Sequence, residues 1–275
     1  MKALILAAGE GTRLRPLTAD RPKPMLPVGG IPLLEQIVSL LKRHGITEIA
    51  INLHYKPRTI VHHLGLGQRW GVQIHYSFEE KLLGSAGAAK RLERYFDQSF
   101  VVFYGDVYTE MDLSALMAKH NRRGALVTMA LYAVDNPTAC GIAELDAESR
   151  IRRFVEKPAP DQVFSRLANS GIFVVEPEVL SWLPADQPLD FGRDVFPGML
   201  AAGQTIIGYP IVEPLIDIGT PENYQKAQHL ASQRVAPQAG LASPMAGPGV
   251  EDPFKRYTLS GAVEHGVMSQ RANRR

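Results

Sequence analysis

The chain carries a single cysteine, Cys140, among 275 residues. One thiol excludes an internal disulfide framework and any cysteine-built metal site. No apolar run approaches the ~20 residues of a membrane span. The N-terminal run, Ala3 to Ala8, meets Gly9 after about six residues, short of the ~7–15 of a signal-peptide core. A large charge excess is also missing: 30 basic residues face 28 acidic ones, for a formal net charge of +2. That balance lacks the concentrated basic excess of a nucleic-acid binder. These absences describe a cytoplasmic protein with neither a membrane nor a nucleic acid as partner. Internal repeats are absent too. What is present, 45% hydrophobic and 21% charged residues, is the mix of an ordinary globular domain.

Two periods alternate along the first half. Lys2 to Ala7 is a continuous apolar run, as in a strand buried on both faces. Ile31 to His44 has helical spacing, with Pro32 suited to its first turn and Gly45 to its stop. Strands are expected at Glu48–Leu53, Val72–Ser77 and Phe100–Tyr104, and a short helix after Pro57. Ser85 and Asp112 are placed to cap two further helices, the second stopping near Gly124. The second half is richer in strands, at 125–134, 141–145, 151–156, 171–175 and 205–209. Helices are expected near 179–183 and 195–202. A short strand ends at Asp217, and Thr220 caps a last helix with Pro221 in its first turn. The expected architecture is α/β: a Rossmann-like mixed, mostly parallel sheet flanked by helices, with a strand-rich second half. It occupies residues 1–232. Residues 233–275, rich in Pro, Gly and Ala, form a linker and poorly ordered tail.

Ligands in such sheets lie beyond the carboxyl ends of the strands. The loop after Ala7 and the Gly105-Asp106 pair both fall there. Gly9 and Gly11 follow a buried strand and let backbone N–H groups approach phosphate oxygens. Arg13, Arg15, Arg21 and Lys23 follow, the last held between Pro22 and Pro24. Position 14 is leucine, so the dinucleotide fingerprint lacks its third glycine, and no Gly-Lys-Ser/Thr run makes a Walker loop. An irregular stretch of this length, studded with bases, suits a triphosphate. His62, His63 and His120 belong to no HExxH pattern, and adjacent histidines on a helix face different ways.

The stretch LAAGEGTRLRPLTADRPKPMLPV (Leu6 to Val28) resembles the signature of the sugar-1-phosphate nucleotidyltransferases. The resemblance continues in order through LLGSAGA (82–88), GD (105–106), FVEKP (154–158), NSGIF (169–173), DFGRDVFP (190–197) and DIGTPENY (217–224). It spans nearly all of residues 1–230. It implies transfer of a nucleoside monophosphate from a nucleoside triphosphate to a sugar 1-phosphate, with Mg²⁺ as cofactor. Such chemistry rests on in-line positioning and charge neutralisation. The resemblance makes Leu6, Ala8, Gly9, Gly11, Thr12, Arg13 and Lys23 nucleotide contacts, with Glu79 and Gly84 near the base. Arg13, Lys23 and Lys157 become the catalytic cations, and Asp106 and Asp217 the metal ligands. Gly141, Glu156, Lys157 and Asn169 become the sugar-phosphate contacts.

Glu79, as an acceptor-only carboxylate, suits the adjacent N–H donors of guanine. Together with DFGRDVFP, it points to GTP and mannose 1-phosphate. Thymidylyl or uridylyl transfer to glucose 1-phosphate or another hexose 1-phosphate is the alternative. A further alternative is a non-catalytic subunit that binds nucleotide sugars, although Arg13, Lys23, Asp106, Lys157 and Asp217 are all retained. A nucleotide-sugar-using glycosyltransferase would place its metal ligands in an Asp-x-Asp run, and Val107-Tyr108 follow Asp106 instead. Two departures from the resemblance stand out. Cys140 occupies the place where many members carry tyrosine before the glycine, and Leu215-Ile216 precede Asp217 where an aromatic is common. No hexapeptide repeats follow Ser232, as in a short, catalytic-core form. Assembly as a homo-oligomer is compatible with all of this.

Overall fold

The computed structural model describes residues 1–234. Apart from its first two residues, which continue the last helix, the expected tail at 233–275 lies outside the described residues. The chain opens with β1 (Lys2–Leu6), whose Ala3, Leu4 and Ile5 are fully buried, as a strand covered on both faces must be. A small hairpin, β2 (Pro27–Val28) and β3 (Ile31–Pro32), then leads into α1 (Leu33–Arg43). Pro32 therefore stands in the residue before the helix rather than in its first turn. Next come β4 (Glu48–Leu53), α2 (Pro57–Leu64), β5 (Gln73–Phe78), α3 (Gly84–Arg91) and β6 (Phe100–Tyr104). After β7 (Val107–Thr109), α4 (Leu113–Arg123) begins and ends as expected. The Asp112 carboxylate accepts from the Ala115 N–H, and Gly124 takes the left-handed conformation that closes the helix.

The second half contains β8 (Val127–Ala133), β9 (Gly141–Leu145), β10 (Ile151–Glu156) and β11 (Leu167–Val175), followed by α5 (Pro177–Ser181), α6 (Phe196–Ala201), β12 (Ile206–Pro210), β13 (Leu215–Asp217) and α7 (Pro221–Arg234). In the main sheet, β6-β1-β4-β5 run parallel. Across β6, the neighbours change direction. β11 is antiparallel to β6, β8 and β9, β9 is antiparallel to β10, and β12 joins β8 in parallel. The sheet is thus mixed, with its parallel part in the first half and its antiparallel pairs in the second. Within β11 the pairing with β8 slips between Asn169 and Phe173. That irregularity leaves Ser170 and Gly171, just after the paired Asn169, out of the ladder at the end of the sheet where β1 and β6 finish.

Behind this edge lies an aromatic core. The Phe173 ring meets those of Phe191 and Phe196 edge-on at 5.0 and 5.2 Å, and Phe154 meets Phe196 at 5.6 Å. Such edge-to-face contacts add about 0.5–1.5 kcal/mol each beyond the burial of the rings. His120 is fully buried on α4 and bridges Thr128 to Glu176, a role inside the fold. His63 pairs with Glu35. Among the described residues no helix is long and apolar enough to cross a membrane, and no three His, Cys, Asp or Glu side chains cluster as a metal cage.

Candidate active site

Leu6 sits opposite Asn52 of β4 and Tyr104 of β6, so the three parallel strands finish together. The loop that follows β1 is tied to this end at several points. The Asn52 side-chain oxygen accepts from the Ala7 N–H, and the Gly105 N–H donates to the Leu6 carbonyl. Ala8 is buried and Gly9 exposed. Gly11 adopts φ +64°, and a methyl group there would stand 2.9 Å from Lys23 Cβ. Only glycine both takes this turn and lets the lysine stem pass. Thr12 opens a single 3₁₀ turn that presents Arg13. The fully buried Thr18 donates its hydroxyl to the Gly11 carbonyl, and Tyr55 donates to the carbonyls of Thr18 and Ala19. The loop is therefore fastened at Gly11 and again at its outer bend.

Lys23 is 8% exposed, an unusual place for an ammonium. It is explained by two carboxylates: Nζ lies 2.5 Å from Asp106 Oδ2 and 3.1 Å from Asp217 Oδ1. The two aspartates meet because β7 and β13 pair, with Asp217 opposite Val107, and because the Ile218 N–H donates to the Asp106 carbonyl. The Gly219 N–H adds a bond to Asp217 Oδ1, and Asn223 donates to the Asp217 carbonyl. Burial lowers the proton affinity of Lys23, but Asp106 and Asp217 outweigh it and raise its pKa. Burial and the Asp106 carboxylate raise the pKa of Asp217, against the pull of Lys23. Two carboxylates that converge on one cation are a fitting donor set for a divalent ion. Mg²⁺ is commonly held by one or two carboxylates with phosphate oxygens completing its shell.

The Asp106–Asp217 pair forms one end of a cavity of about 380 Å³. Arg13 lines the same end. A methyl group on Gly219 would stand 3.0 Å from both Arg13 Nη2 and Lys23 Nζ, so the loop glycine makes room for both cations. The other end holds Glu156, the last residue of β10, and Lys157, which follows it. Lys157 adopts φ +49°, and its N–H donates to the Cys140 carbonyl. This tight turn brings Lys157 and Gly141 together. Glu156 lies between two glycines: a methyl group on Gly141 would be 2.4 Å from its Oε2, and one on Gly192 would be 2.6 Å away. Lys157 Nζ is 3.7 Å from Glu156 Oε1. Burial lifts the Glu156 pKa, with Asp190 adding to the effect and Lys157 opposing it. Asn169 lines the cavity from the slipped segment of β11, its side-chain oxygen accepting from the Gly171 N–H.

The structure thus brings Arg13, Asp106, Asp217, Gly141, Glu156, Lys157 and Asn169 around one space, with Lys23 held against the two aspartates. Glu79 and Gly84 do not line it. Glu79 is buried, with Oε1 accepting from Asn52 and Oε2 from the Leu83 N–H. These bonds brace the loop between β5 and α3 and use one acceptor position on each carboxylate oxygen. Gly84 has a reason of its own in the fold: a methyl group there would stand 2.3 Å from the Leu189 carbonyl oxygen. Ser85 does not cap α3. Its hydroxyl donates to Asp190 and accepts from the Phe191 N–H, tying α3 to the segment beside Glu156. Arg15 and Arg21 are exposed, with Arg15 3.9 Å from Glu10.

Sequence reasoning missed Tyr104, Tyr132, Asp190 and Gly192, all on the cavity wall. Asp190 left a signal, since an aspartate two residues before a glycine can close an Asx turn. Its Oδ1 accepts from the Gly192 and Arg193 N–H groups. The tyrosines left none, because each reads as an ordinary strand residue.

The sequence profile described as nucleotidyl transferase matches residues 2–234. The chain is 37% identical over 241 residues to the UTP–glucose-1-phosphate uridylyltransferase of Synechocystis, a match covering 82% of this chain and 62% of the relative. It is 36% identical over 244 residues to the mannose-1-phosphate guanylyltransferase of Mycobacterium tuberculosis, covering 87% and 67%. Among solved structures, a Bacillus anthracis protein assigned as a glucose-1-phosphate thymidylyltransferase, in complex with a sucrose, is similar with a TM-score of 0.76. It shares 30% identity over 84% of this chain and 95% of that one. HddC of Yersinia pseudotuberculosis, complexed with GMP-PN, has a TM-score of 0.71 at 26% identity, covering 83% and 98%. The chain spans less than two thirds of the length of the uridylyltransferase relative.

Proposed function

The chain belongs to the nucleotidyl transferase family, and we propose that it joins a nucleoside triphosphate to a sugar 1-phosphate, releasing pyrophosphate, with GTP and mannose 1-phosphate as its substrates. The observation that carries this reading is a single cavity with two separate carboxylate–cation groups at its wall. A lysine bridging two aspartates, with an arginine beside it, suits a polyphosphate at one end. A slotted glutamate followed by a lysine suits a sugar bearing a phosphate at the other. In the reaction, a phosphate oxygen of the sugar 1-phosphate attacks the α-phosphorus, and the bond to the β-phosphate oxygen breaks. Its electron pair leaves with pyrophosphate.

Arg13 and Lys23 neutralise the departing pyrophosphate, and Lys157 holds the attacking phosphate in line. Glu156 accepts hydrogen bonds from sugar hydroxyls, and Asn169 offers its amide N–H groups to the same ring. Asp106 and Asp217 would hold Mg²⁺, which when bound neutralises charge on the triphosphate oxygens. The guanylyl choice is supported by the Mycobacterium relative and by DFGRDVFP. The Synechocystis relative supports uridylyl transfer to glucose 1-phosphate instead.

Purified protein with Mg²⁺, offered GTP, UTP, dTTP and ATP against mannose and glucose 1-phosphates, is expected to release pyrophosphate fastest from GTP and mannose 1-phosphate. Asp106→Asn and Asp217→Asn should each abolish turnover while remaining folded. Pyrophosphate release from no pair would refute the transferase, and a faster UTP–glucose pair would replace the substrate assignment.

A further inference from the structure

Four hydroxyl-bearing side chains line the cavity: Tyr104, Tyr132, Ser170 and Thr220. Three of them are committed to the fold. Tyr104 bonds to Ser85. Ser170 donates to the Ile172 carbonyl and accepts from the Ile172 N–H. Thr220 accepts from the Asn223 N–H as the cap of α7. Tyr132 differs. Its hydroxyl oxygen has a single partner among the described residues, Cys140 Sγ at 3.9 Å, and a thiol is a weak donor and a weak acceptor.

The strand explains where this hydroxyl points. Along β8, Val127, Met129 and Leu131 enter the core, so Thr128, Ala130 and Tyr132 face the other way. Tyr132 stands near the end of the strand, where that face opens on the cavity. Cys140 flanks it on the side of the Lys157 turn, through the bond from the Lys157 N–H to the Cys140 carbonyl. Asp217 and Asp106 line the same cavity and act on the phenol electrostatically. Burial, the thiol and these two carboxylates all raise the Tyr132 pKa, so the hydroxyl keeps its proton. A neutral O–H on the same wall as Lys157, Asp106 and Asp217 has only a weak sulfur partner among the described residues.

Resting on the transferase reading, we infer that Tyr132 is a further substrate-positioning residue, donating its hydroxyl hydrogen to a phosphoryl oxygen of the sugar 1-phosphate. The bond would add a neutral donor to the phosphate beside the charge of Lys157. No proton is transferred. The phenol orients the phosphate and is satisfied by it. The small side chain of Cys140 leaves the space the phenol occupies, and its thiol is a placeholder partner in the absence of substrate.

The test is steady-state kinetics on Tyr132→Phe, which removes one oxygen and keeps the ring. The KM for the sugar 1-phosphate should rise roughly tenfold, as for loss of a neutral donor to a charged acceptor. The KM for the nucleoside triphosphate should stay within about twofold, which a general loosening of the fold would not allow. The same penalty should appear with each mono-deoxy sugar 1-phosphate. Tyr132→Phe made on Cys140→Ala should lose as much again relative to Cys140→Ala alone. Four results would overturn the inference. They are an unchanged KM for the sugar phosphate, an equal rise in both KM values, a penalty that vanishes for one deoxy analogue, and a penalty that vanishes without the thiol. Because these readouts require a wild-type protein that turns over, silence from the wild type counts against the transferase reading, whereas an active wild type with an unaffected Tyr132→Phe counts against this inference alone.

Discussion

Lys23→Met is the most demanding test of the charge arrangement, because it removes the ammonium and leaves the two carboxylates facing each other. Breaking a buried ion pair by deleting one partner costs about 3–5 kcal/mol. Here the lysine side chain is 10% exposed, but those of Asp106 and Asp217 retain 29% and 47% of their exposure. Water in the cavity screens part of the repulsion, so the loss should be about 2 kcal/mol at neutral pH. For a domain of this size, 1 kcal/mol moves the melting temperature by about 2–4 °C, giving a drop of roughly 4–8 °C.

The pH dependence of that drop is equally diagnostic. Burial and the Asp106 carboxylate already raise the Asp217 pKa, and loss of Lys23 removes what opposes them. A carboxylate raised in the folded state takes up its proton more readily there than in the unfolded chain, so stability returns as pH falls. The gap between wild type and variant should therefore narrow from pH 8 to pH 5. In the wild type, Lys23 is raised above the ordinary lysine value of 10.5, so its own contribution is present throughout this range and is lost only in strong alkali. Differential scanning calorimetry of both proteins across this range, with and without MgCl₂, measures the effect. Added Mg²⁺ should raise the variant's melting temperature more than that of the wild type. Equal melting temperatures at pH 8, or a gap that widens on acidification, would refute the reasoning.

Glu156 gives a second pH signature. Burial, reinforced by Asp190 and opposed by Lys157, holds it above the ordinary carboxylate range. The KM for the sugar 1-phosphate should then rise as pH falls through that raised region, and Glu156→Gln should show a higher KM with no such limb. A limb that survives in the glutamine variant assigns it elsewhere. Gly84→Ala should destabilise the protein by about 2–4 kcal/mol, since its methyl group would meet a backbone carbonyl in a conformation that L side chains resist. The carbonyl is that of Leu189, 2.3 Å away, at a φ of +70°. Thermal melts within about 2 °C of wild type would show that the α3 segment yields more easily than this packing implies.

The legible parts of the fold were those written in local sequence. β4, β6, β9 and β10 begin and end where the apolar runs do, and Asp112 and Gly124 bound α4 through contacts no more than four residues long. The illegible parts depend on distant partners. Nothing around Val107–Thr109 announces a strand, because its pairing partner lies over a hundred residues later. Ser85 has the right chemistry for a cap, but Asp190 competes for its hydroxyl across the fold. The bonds that Glu79 accepts from Asn52 and the Leu83 N–H likewise depend on how the chain folds around it. Lys23, Asp106 and Asp217, each singled out in the sequence, meet in the structure. The candidate site was not legible where tyrosines stood in strands that would bury an aromatic anyway.

The bond between Lys23 and Asp217 joins residues 194 positions apart, and Tyr224 and Gln228 then fasten α7 to the Pro27 carbonyl. During translation at about 5–20 residues per second, Lys23 waits roughly 10–40 s before its second carboxylate is made. Through that interval the nascent chain can assemble its parallel strands but not its charged corner. A ribosome that stalls before Asp217 would release a chain with most of its hydrophobic core and an uncompleted ion cluster. Such a product would bind chaperones and still be inert, so truncation products in this last stretch should be cleared by proteolysis rather than accumulate as active fragments.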